Sequence, residues 1–208
     1  MADVKSTSRR DKAQATRAAI IRAAHAEFLE HGFHGATVAS IAKRAKVATQ
    51  TVYFVFNTKA ALISAVIDAA VMGEEDLPPE LTEWWRAMEA EPDAAESLRL
   101  FVRGAAPLYE RAAAIGEVLR AAALTDDELR STQEFHDGLQ RTGYRVVIAG
   151  LETKGALRAG LDTETATDVF LTVYGDSTYH LLRTERGWSH EQVVEWLADA
   201  LPRLLLAE

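Results

Sequence analysis

Residues 32–62, GFHGATVASIAKRAKVATQTVYFVFNTKAAL, carry the reading that decides the fold. Val38, Ile41, Ala42 and Ala45 recur at i, i+3, i+4 and i+7 as one apolar face, and Val47, Val52 and Phe56 supply a matching face after a turn. The spacing predicts a helix near Val38–Ala45, a tight turn at Lys46 and a helix near Thr49–Phe56. Asn57 and Thr58 then break the run, and Thr58 is placed to cap a further helix from Lys59 to about Met72. Helices this short cannot bury themselves alone. Ile20, Ile21, Ala24 and Phe28, in a preceding helix from about Lys12 to His31, offer the stripe they need. The small Ala42 lets two helices cross steeply with their backbones close together, which pushes the second one outward. Its remaining residues, Thr49, Gln50, Thr51, Tyr53 and Phe54, are hydrogen-bonding or flat side chains suited to base edges, thymine methyls and phosphates. The pattern is that of a helix-turn-helix DNA reader.

The stretch resembles the N-terminal domain of the TetR (tetracycline-repressor-like) family. That family's pattern runs roughly Gly-Phe-x-x-Thr/Ala-Thr-Val-x-x-Ile-Ala-x-x-Ala-Gly-Val-Ser-x-x-Thr-Val-Tyr-x-Tyr-Phe-x-x-Lys-x-x-Leu. Matching it are Gly32, Phe33, Ala36, Thr37, Val38, Ile41, Ala42, Ala45, Val47, Thr51, Val52, Tyr53, Phe56, Lys59 and Leu62. The motif covers the first third of the chain; the remainder is similar to the family in length and helical layout. Three positions depart from the pattern. Lys46 stands at the usual glycine, so a left-handed turn there costs roughly 1–2 kcal/mol. Ala48 stands at the usual serine cap, a loss of about 1 kcal/mol unless Thr49 takes the role. Val55 replaces the commoner aromatic.

Charge agrees with a DNA-binding head. The net charge of −8 hides a segregation: residues 1–62 hold ten Lys and Arg against four Asp and Glu, a balance of +6, and residues 63–208 carry −14. A basic head on an acidic body favours phosphate binding through the head alone. The chain has no cysteine, which excludes disulfides, cysteine zinc sites and thiol catalysis and fits a reducing compartment. Its polar start, MADVKSTSRRDKAQ, is no secretory signal, and the apolar window Ala60–Met72 is interrupted by Asp68 and too short to span a bilayer. A cytoplasmic protein with no membrane partner is expected.

Beyond the motif the periodicity is helical throughout, and the expected fold class is all-α: a helix-turn-helix domain over residues 1–58 and a helical ligand-binding and dimerisation domain over 59–208, linked by the helix over 59–72. Basic Arg9 and Arg10 lie in an expected flexible lead. After the connector Gly73–Pro79, helical patterns run over Leu81–Ala90, from Asp93 with an interruption at Pro107, over Ile115–Leu124, and over Asp126–Lys154. Gly138, Gly143 and Gly150 weaken that last helix and suit close helix contacts. A turn at Gly155–Leu161 precedes two final helices, Thr163–Arg183 and Ser189–Ala207, separated at Gly187.

The resemblance carries specific roles to specific positions. Thr37 and Lys59 match positions that usually hold phosphates at the two ends of the motif. Thr49, Gln50 and Phe54 fall on the groove side, with Gln50 the best base reader because its amide pairs in two places with adenine. Tyr53 and Thr51 brace the helix against the backbone, while Arg44 and Lys46 add charge at the rim. Tyr53 also suits a half-buried core position, and Thr49 an N-cap. For a small-molecule effector the body offers Trp84, Trp85, Met88, Phe101, Tyr109, His136, Tyr144 and Tyr174, with Tyr179 and Asp176 as further candidates; such residues at helical spacing equally fit an ordinary core. The family's dimers pair their last two long helices, which singles out Leu171, Tyr174, Thr178, Leu182, Val193, Trp196, Leu197, Leu201 and Leu204. Those stripes equally suit the subunit's own core.

No cofactor is expected. His31 and His34 flank a Gly32–Phe33 turn without a third ligand, and His136, His180 and His190 are isolated. Asp126, Asp127 and Glu128 suit the start of a helix. Nucleophile elbow, phosphate-cradling glycine loop and HExxH motif are all missing, so no catalytic constellation forms. The sequence reads as a dimeric repressor that binds a palindromic operator in double-stranded DNA and is released by a small-molecule effector. The alternative is a constitutive or protein-partnered regulator with the same head.

Overall fold

The computed structural model describes residues 3–73 and 76–207, with side chains from Arg10 onward. Among these residues the regular structure is helical: α1 (Asp3–Gly35), α2 (Val38–Ala45), α3 (Thr49–Phe56), α4 (Lys59–Met72), α5 (Glu83–Ala90), α6 (Ala94–Ala123), α7 (Asp127–Thr153), α8 (Thr163–Val173), α9 (Asp176–His180) and α10 (His190–Leu205). A 3-10 turn, Pro79–Leu81, precedes α5, and a π-helical turn, Leu181–Glu185, follows α9. The all-α class is borne out. No single described helix is long and apolar enough to cross a membrane.

The chain forms two compact units. The first takes in residues up to Ala69 together with Val118–Thr132, and the second takes in Ala70–Glu117 and the chain from Gln133 onward. Thus α4, expected to open the second domain, clusters up to Ala69 with the first.

In the first unit, Ile20, Ala24 and Phe28 of α1 are buried with Ile41 and Ala42 of α2, Val52 and Phe56 of α3, and Leu62, Ile63 and Val66 of α4. Helix α1 starts well before Lys12, at Asp3, and takes in Lys5, Arg9 and Arg10. The expected lead is helical through Arg10, which is exposed, while the Arg9 side chain lies outside the described residues. The helical backbone breaks at Gly32, whose φ of 67° is disfavoured for other residues. Phe33 turns inward there to stack on Phe28 at 5.6 Å.

The second unit is built around an aromatic core. Phe101 touches the rings of Trp84, Trp85, Tyr144, Phe170 and Tyr174 at centroid distances between 5.4 and 6.0 Å. Leu98, Val102 and Ala105 of α6, Val147, Ile148 and Leu151 of α7 and Val193, Leu197, Leu201 and Leu205 of α10 complete it. A short antiparallel bridge, with Arg158 N–H donating to the Leu205 carbonyl and Ala207 N–H to that of Ala156, ties the chain end to the α7–α8 connection.

Three expectations are corrected here. Helix α6 runs unbroken through Pro107 and absorbs the segment expected over Ile115–Leu124 as far as Ala123: the ring sits on the exposed side, so only the helix's own ladder is interrupted. Among the described residues of the chain the α7 glycines mark no close crossing, since a Cβ at Gly138 or Gly150 would meet nothing within 4 Å and one at Gly143 only a Glu80 carboxylate oxygen at 3.8 Å. The helix expected over Thr163–Arg183 divides at Tyr174–Gly175. There a Cβ on Gly175 would stand 2.6 Å from the Leu171 carbonyl oxygen.

Candidate nucleic-acid interface

The α2–α3 pair is framed by local hydrogen bonds that the sequence largely dictates. Thr37 caps α2, its hydroxyl accepting from Ser40 N–H at 3.0 Å while Ser40 Oγ accepts from Thr37 N–H at 3.2 Å. At the other end Lys46 adopts a left-handed conformation, φ 57° and ψ 41°, and the turn closes as a Schellman motif: Lys46 N–H donates to Lys43 O at 3.2 Å and Val47 N–H to Ala42 O at 3.0 Å. The lysine therefore holds the glycine conformation, at the backbone cost anticipated for it. Lys46→Gly should stabilise the first unit by about 1 kcal/mol, the left-handed penalty less the added chain entropy. A urea melt with an unmoved or lowered midpoint would count against that account.

Helix α3 begins at Thr49 without a side-chain cap. Ala48 offers only its backbone, accepting from Thr51 N–H at 2.9 Å, and Thr49 is the first helical residue rather than a substitute cap. The helix ends at Asn57, φ 56° and ψ −59°, where Thr58 N–H reaches the Phe56 carbonyl in a tight γ-turn. Thr58 then caps α4 by accepting from Ala61 N–H at 3.0 Å.

This frame buries Val52 and Phe56 and turns the opposite face of α3 outward. Thr49, Gln50, Tyr53 and Phe54 are exposed and Thr51 is half-buried; Phe54 is 88% exposed. They form two adjacent rows at i, i+4: Thr49 with Tyr53, and Gln50 with Phe54. Thr37 and Lys46 are exposed beside them.

Two basic residues expected at DNA are engaged inside the unit. Arg44 reaches back to α1, with Nε donating to Glu27 at 2.7 Å and the two Nη atoms to Glu30 at 2.8 and 2.5 Å. Its charge is compensated and its fork is filled. Lys59 Nζ donates to the carbonyls of Phe33 and Ala36 at 2.7 and 3.0 Å and lies 4.3 Å from the centre of the Phe33 ring. Burial lowers its pKa, partly opposed by Asp126. Lys59 therefore supports the loop that carries Thr37 instead of projecting toward a ligand.

Glu27 and Ser40 escaped the sequence reading. The Thr37-x-x-Ser40 spacing was a capping signal in plain view, whereas the buried Glu27 carboxylate was signalled by nothing. Glu27, Glu30 and His31 bring three possible ligand atoms within 4.8 Å of one another. Arg44 fills that cluster, which makes it an ion-pair lock. Hydrogen bonding from Ser40, followed by that from Arg44, holds the Glu27 carboxyl below its usual range, and hydrogen bonding from Arg44 does the same for Glu30. Depressed folded-state pKa values mean that the stabilisation is fully present above the ordinary glutamate value of 4.5 and is lost as pH falls below it. Thermal midpoints should therefore fall more steeply below pH 4.5 in the native chain than in Glu27→Gln; parallel profiles would remove the lock from the stability account.

In the second unit, most residues expected at an effector converge. Trp84, Trp85, Phe101, Tyr144 and Tyr174 share ring contacts, Tyr109 joins through Tyr174 at 4.5 Å, and Met88 belongs to the same core. His136 instead meets the exposed Phe135 edge-on at 5.3 Å. The broken end of α8 lies at the centre: the Tyr174 carbonyl accepts from the hydroxyls of Tyr109 at 2.9 Å and Tyr144 at 3.2 Å. Those hydroxyls stand side by side at the carbonyl, and Gln140 Nε2 donates to both. Burial pushes the Tyr144 and Tyr174 phenols well above their ordinary range, so they remain neutral donors.

The residues expected at a dimer interface separate. Tyr174, Val193, Leu197 and Leu201 are buried in the chain's own core, a correction that follows from the breadth of the α10 stripe, which covers two faces. Trp196 and Leu204 stay 39% and 40% exposed, and Leu171, Thr178 and Leu182 are half-buried.

Comparison with known proteins agrees with this arrangement. The family model described as bacterial regulatory proteins, tetR family, matches residues 20–66. The HTH-type transcriptional regulator TtgR of Pseudomonas putida is 30% identical over 207 residues, 95% of each chain. Among solved structures, NalD, the secondary repressor of the MexAB-OprM multidrug efflux pump in Pseudomonas aeruginosa, superposes with a TM-score of 0.72 at 24% identity, over 95% of this chain and 99% of its own. A transcriptional regulator FadR from Bacillus subtilis, in complex with stearoyl-CoA, gives 0.67 at 19% identity, over 88% and 96%.

Proposed function

We propose, from the premise that the chain belongs to the TetR family of bacterial regulatory proteins and is a DNA-binding transcriptional regulator rather than an enzyme, that it acts as a dimeric repressor released by a small-molecule effector. The observation that carries this reading is the outward face of α3, where Thr49, Gln50, Tyr53 and Phe54 stand exposed on a helix whose other face is buried. Gln50 reads a base edge, and Thr49, Thr51 and Tyr53 fix the helix against sugar and phosphate. Thr37 and Lys46 hold phosphates at the rim. Arg44 and Lys59 act from behind, positioning α2 and the Thr37 loop.

Two such heads read the half-sites of a palindromic operator, about one helical turn apart or slightly more. The dimer forms through the exposed face of α10, Trp196 and Leu204, with Leu171, Thr178 and Leu182 beside it. The effector enters among the aromatic residues of the second unit, where the tyrosine hydroxyls and Gln140 supply polar contacts. Release requires the effector to favour a conformation in which the heads are wrongly spaced. The expected lever is α4, and α6 and α7 join it, since the chain passes between the units inside all three helices. The related NalD is named as a repressor and the FadR structure holds an acyl-CoA, which supports a repressor with an apolar effector. These events belong in the cytoplasm, where operator DNA is found.

The test is operator selection from the source genome, followed by screening of compounds against the selected complex. A palindromic duplex bound by two chains, with steep weakening on added salt, is the expected result. Selection of no duplex overturns the reading; a duplex that no small molecule releases restricts it to a constitutive or protein-partnered regulator.

A further inference from the structure

Phe54 is the most exposed of the large apolar side chains among the described residues, at 88%, on a helix whose apolar residues Val52 and Phe56 already anchor it to the core. The ring contributes little to folding, and on the outward face of α3 it stands free to contact what docks there. It shares a row with Gln50, one helical turn earlier. The major groove presents hydrogen-bonding edges nearly everywhere, and its apolar feature is the C5-methyl of thymine. A phenyl ring facing the groove gains by covering that methyl and forfeits hydration wherever it meets a polar edge alone. Four residues of helix advance about 6 Å, close to two base-pair steps of about 3.4 Å.

We propose that Phe54 reads a thymine C5-methyl group in each operator half-site, about two base pairs from the adenine read by Gln50. The proposal rests on the DNA-binding reading above and adds a sequence requirement to it: the half-site carries an A·T pair under each end of this row. Tyr53, one residue earlier and 51% exposed, ends in a hydroxyl and serves the backbone, which leaves Phe54 as the apolar reader.

The experiment replaces single thymines of the selected operator with deoxyuridine, which removes the methyl group and leaves the hydrogen-bonding edge unchanged. Affinity of the full chain should fall about 4-fold per half-site at one thymine position, the fold-change for exposing one buried methyl group. It should stay flat at the other positions. In Phe54→Ala the same substitution should have no effect, and Phe54→Gln should behave alike, with thermal midpoints unchanged because the position is exposed. A native chain indifferent to every deoxyuridine, or a Phe54→Ala chain that keeps the native profile, overturns the proposal while leaving DNA binding intact. Failure to bind any duplex instead removes the reading beneath it. Should Phe54→Ala fail to fold, Phe54→Gln decides by the same comparison.

Discussion

Combining Gln50→Ala with Tyr53→Ala should weaken operator binding by about 100-fold per half-site at fixed salt, the effect of losing one bidentate base contact and one bracing hydroxyl in each head, each worth about 1–2 kcal/mol. The thermal midpoint should barely move, because both side chains are exposed and neither fills the space beneath α3. The salt slope separates the roles. Gln50→Ala alone should leave it unchanged, since a neutral amide displaces no counterions, whereas Lys46→Met should lower it by about 1 per bound chain, about 2 for the dimer. Fluorescence anisotropy on the selected duplex measures all of these. Native affinity in the double variant would dismiss the site as drawn.

The largest effect on stability is expected from Phe101→Ala. The ring is 2% exposed and meets five other aromatic rings, so truncation removes its burial and opens a space that surrounding rings cannot close without leaving their own contacts. A loss of about 4 kcal/mol follows from comparable core truncations. Near-ultraviolet circular dichroism should report early loss of fixed aromatic packing in the second unit. With two compact units a single two-state fit is not assumed, so melting should be followed by tryptophan fluorescence, as the tryptophans lie at 84, 85, 188 and 196, all in that unit. A shift below about 1 kcal/mol would show that the cluster relaxes around the gap.

The first unit was legible because its rules are local. Hydrophobic spacing set α2, α3 and α4 at their observed limits, and Thr58 caps α4 as its position implied. Exposure of Gln50 and Phe54 followed from the burial of Val52 and Phe56. Partners far apart in the chain were not legible. Arg44 and Lys59 look in sequence like cations available to phosphate, and only folding brings Glu27, Glu30 and the Phe33 and Ala36 carbonyls to them. The same limit governed the second unit: Tyr109, Tyr144 and Tyr174 could be named as candidates, but not the shared carbonyl that unites them, because the local mark of the break, Gly175, is a residue that helix interiors also tolerate. Helical spacing also failed to tell an inward stripe on α10 from an outward one, since one helix serves both. Pro107 misled for the opposite reason: a strong local breaker yielded to the packing of α6 on either side of it.

The composition of the first unit also bears on how regulators of this kind are recombined. Its compact body is assembled from two stretches, the chain up to Ala69 and Val118–Thr132, the second of which contributes the buried Leu119, Ala122, Ala123 and Leu129. A reading head cut out after residue 58 or 72 would therefore leave part of its own interior behind. Exchanging specificity between relatives by swapping one N-terminal cassette imports a surface matched to the donor's second stretch, so a hybrid sensor needs both pieces transplanted together, or repacking of the interior at those four side chains.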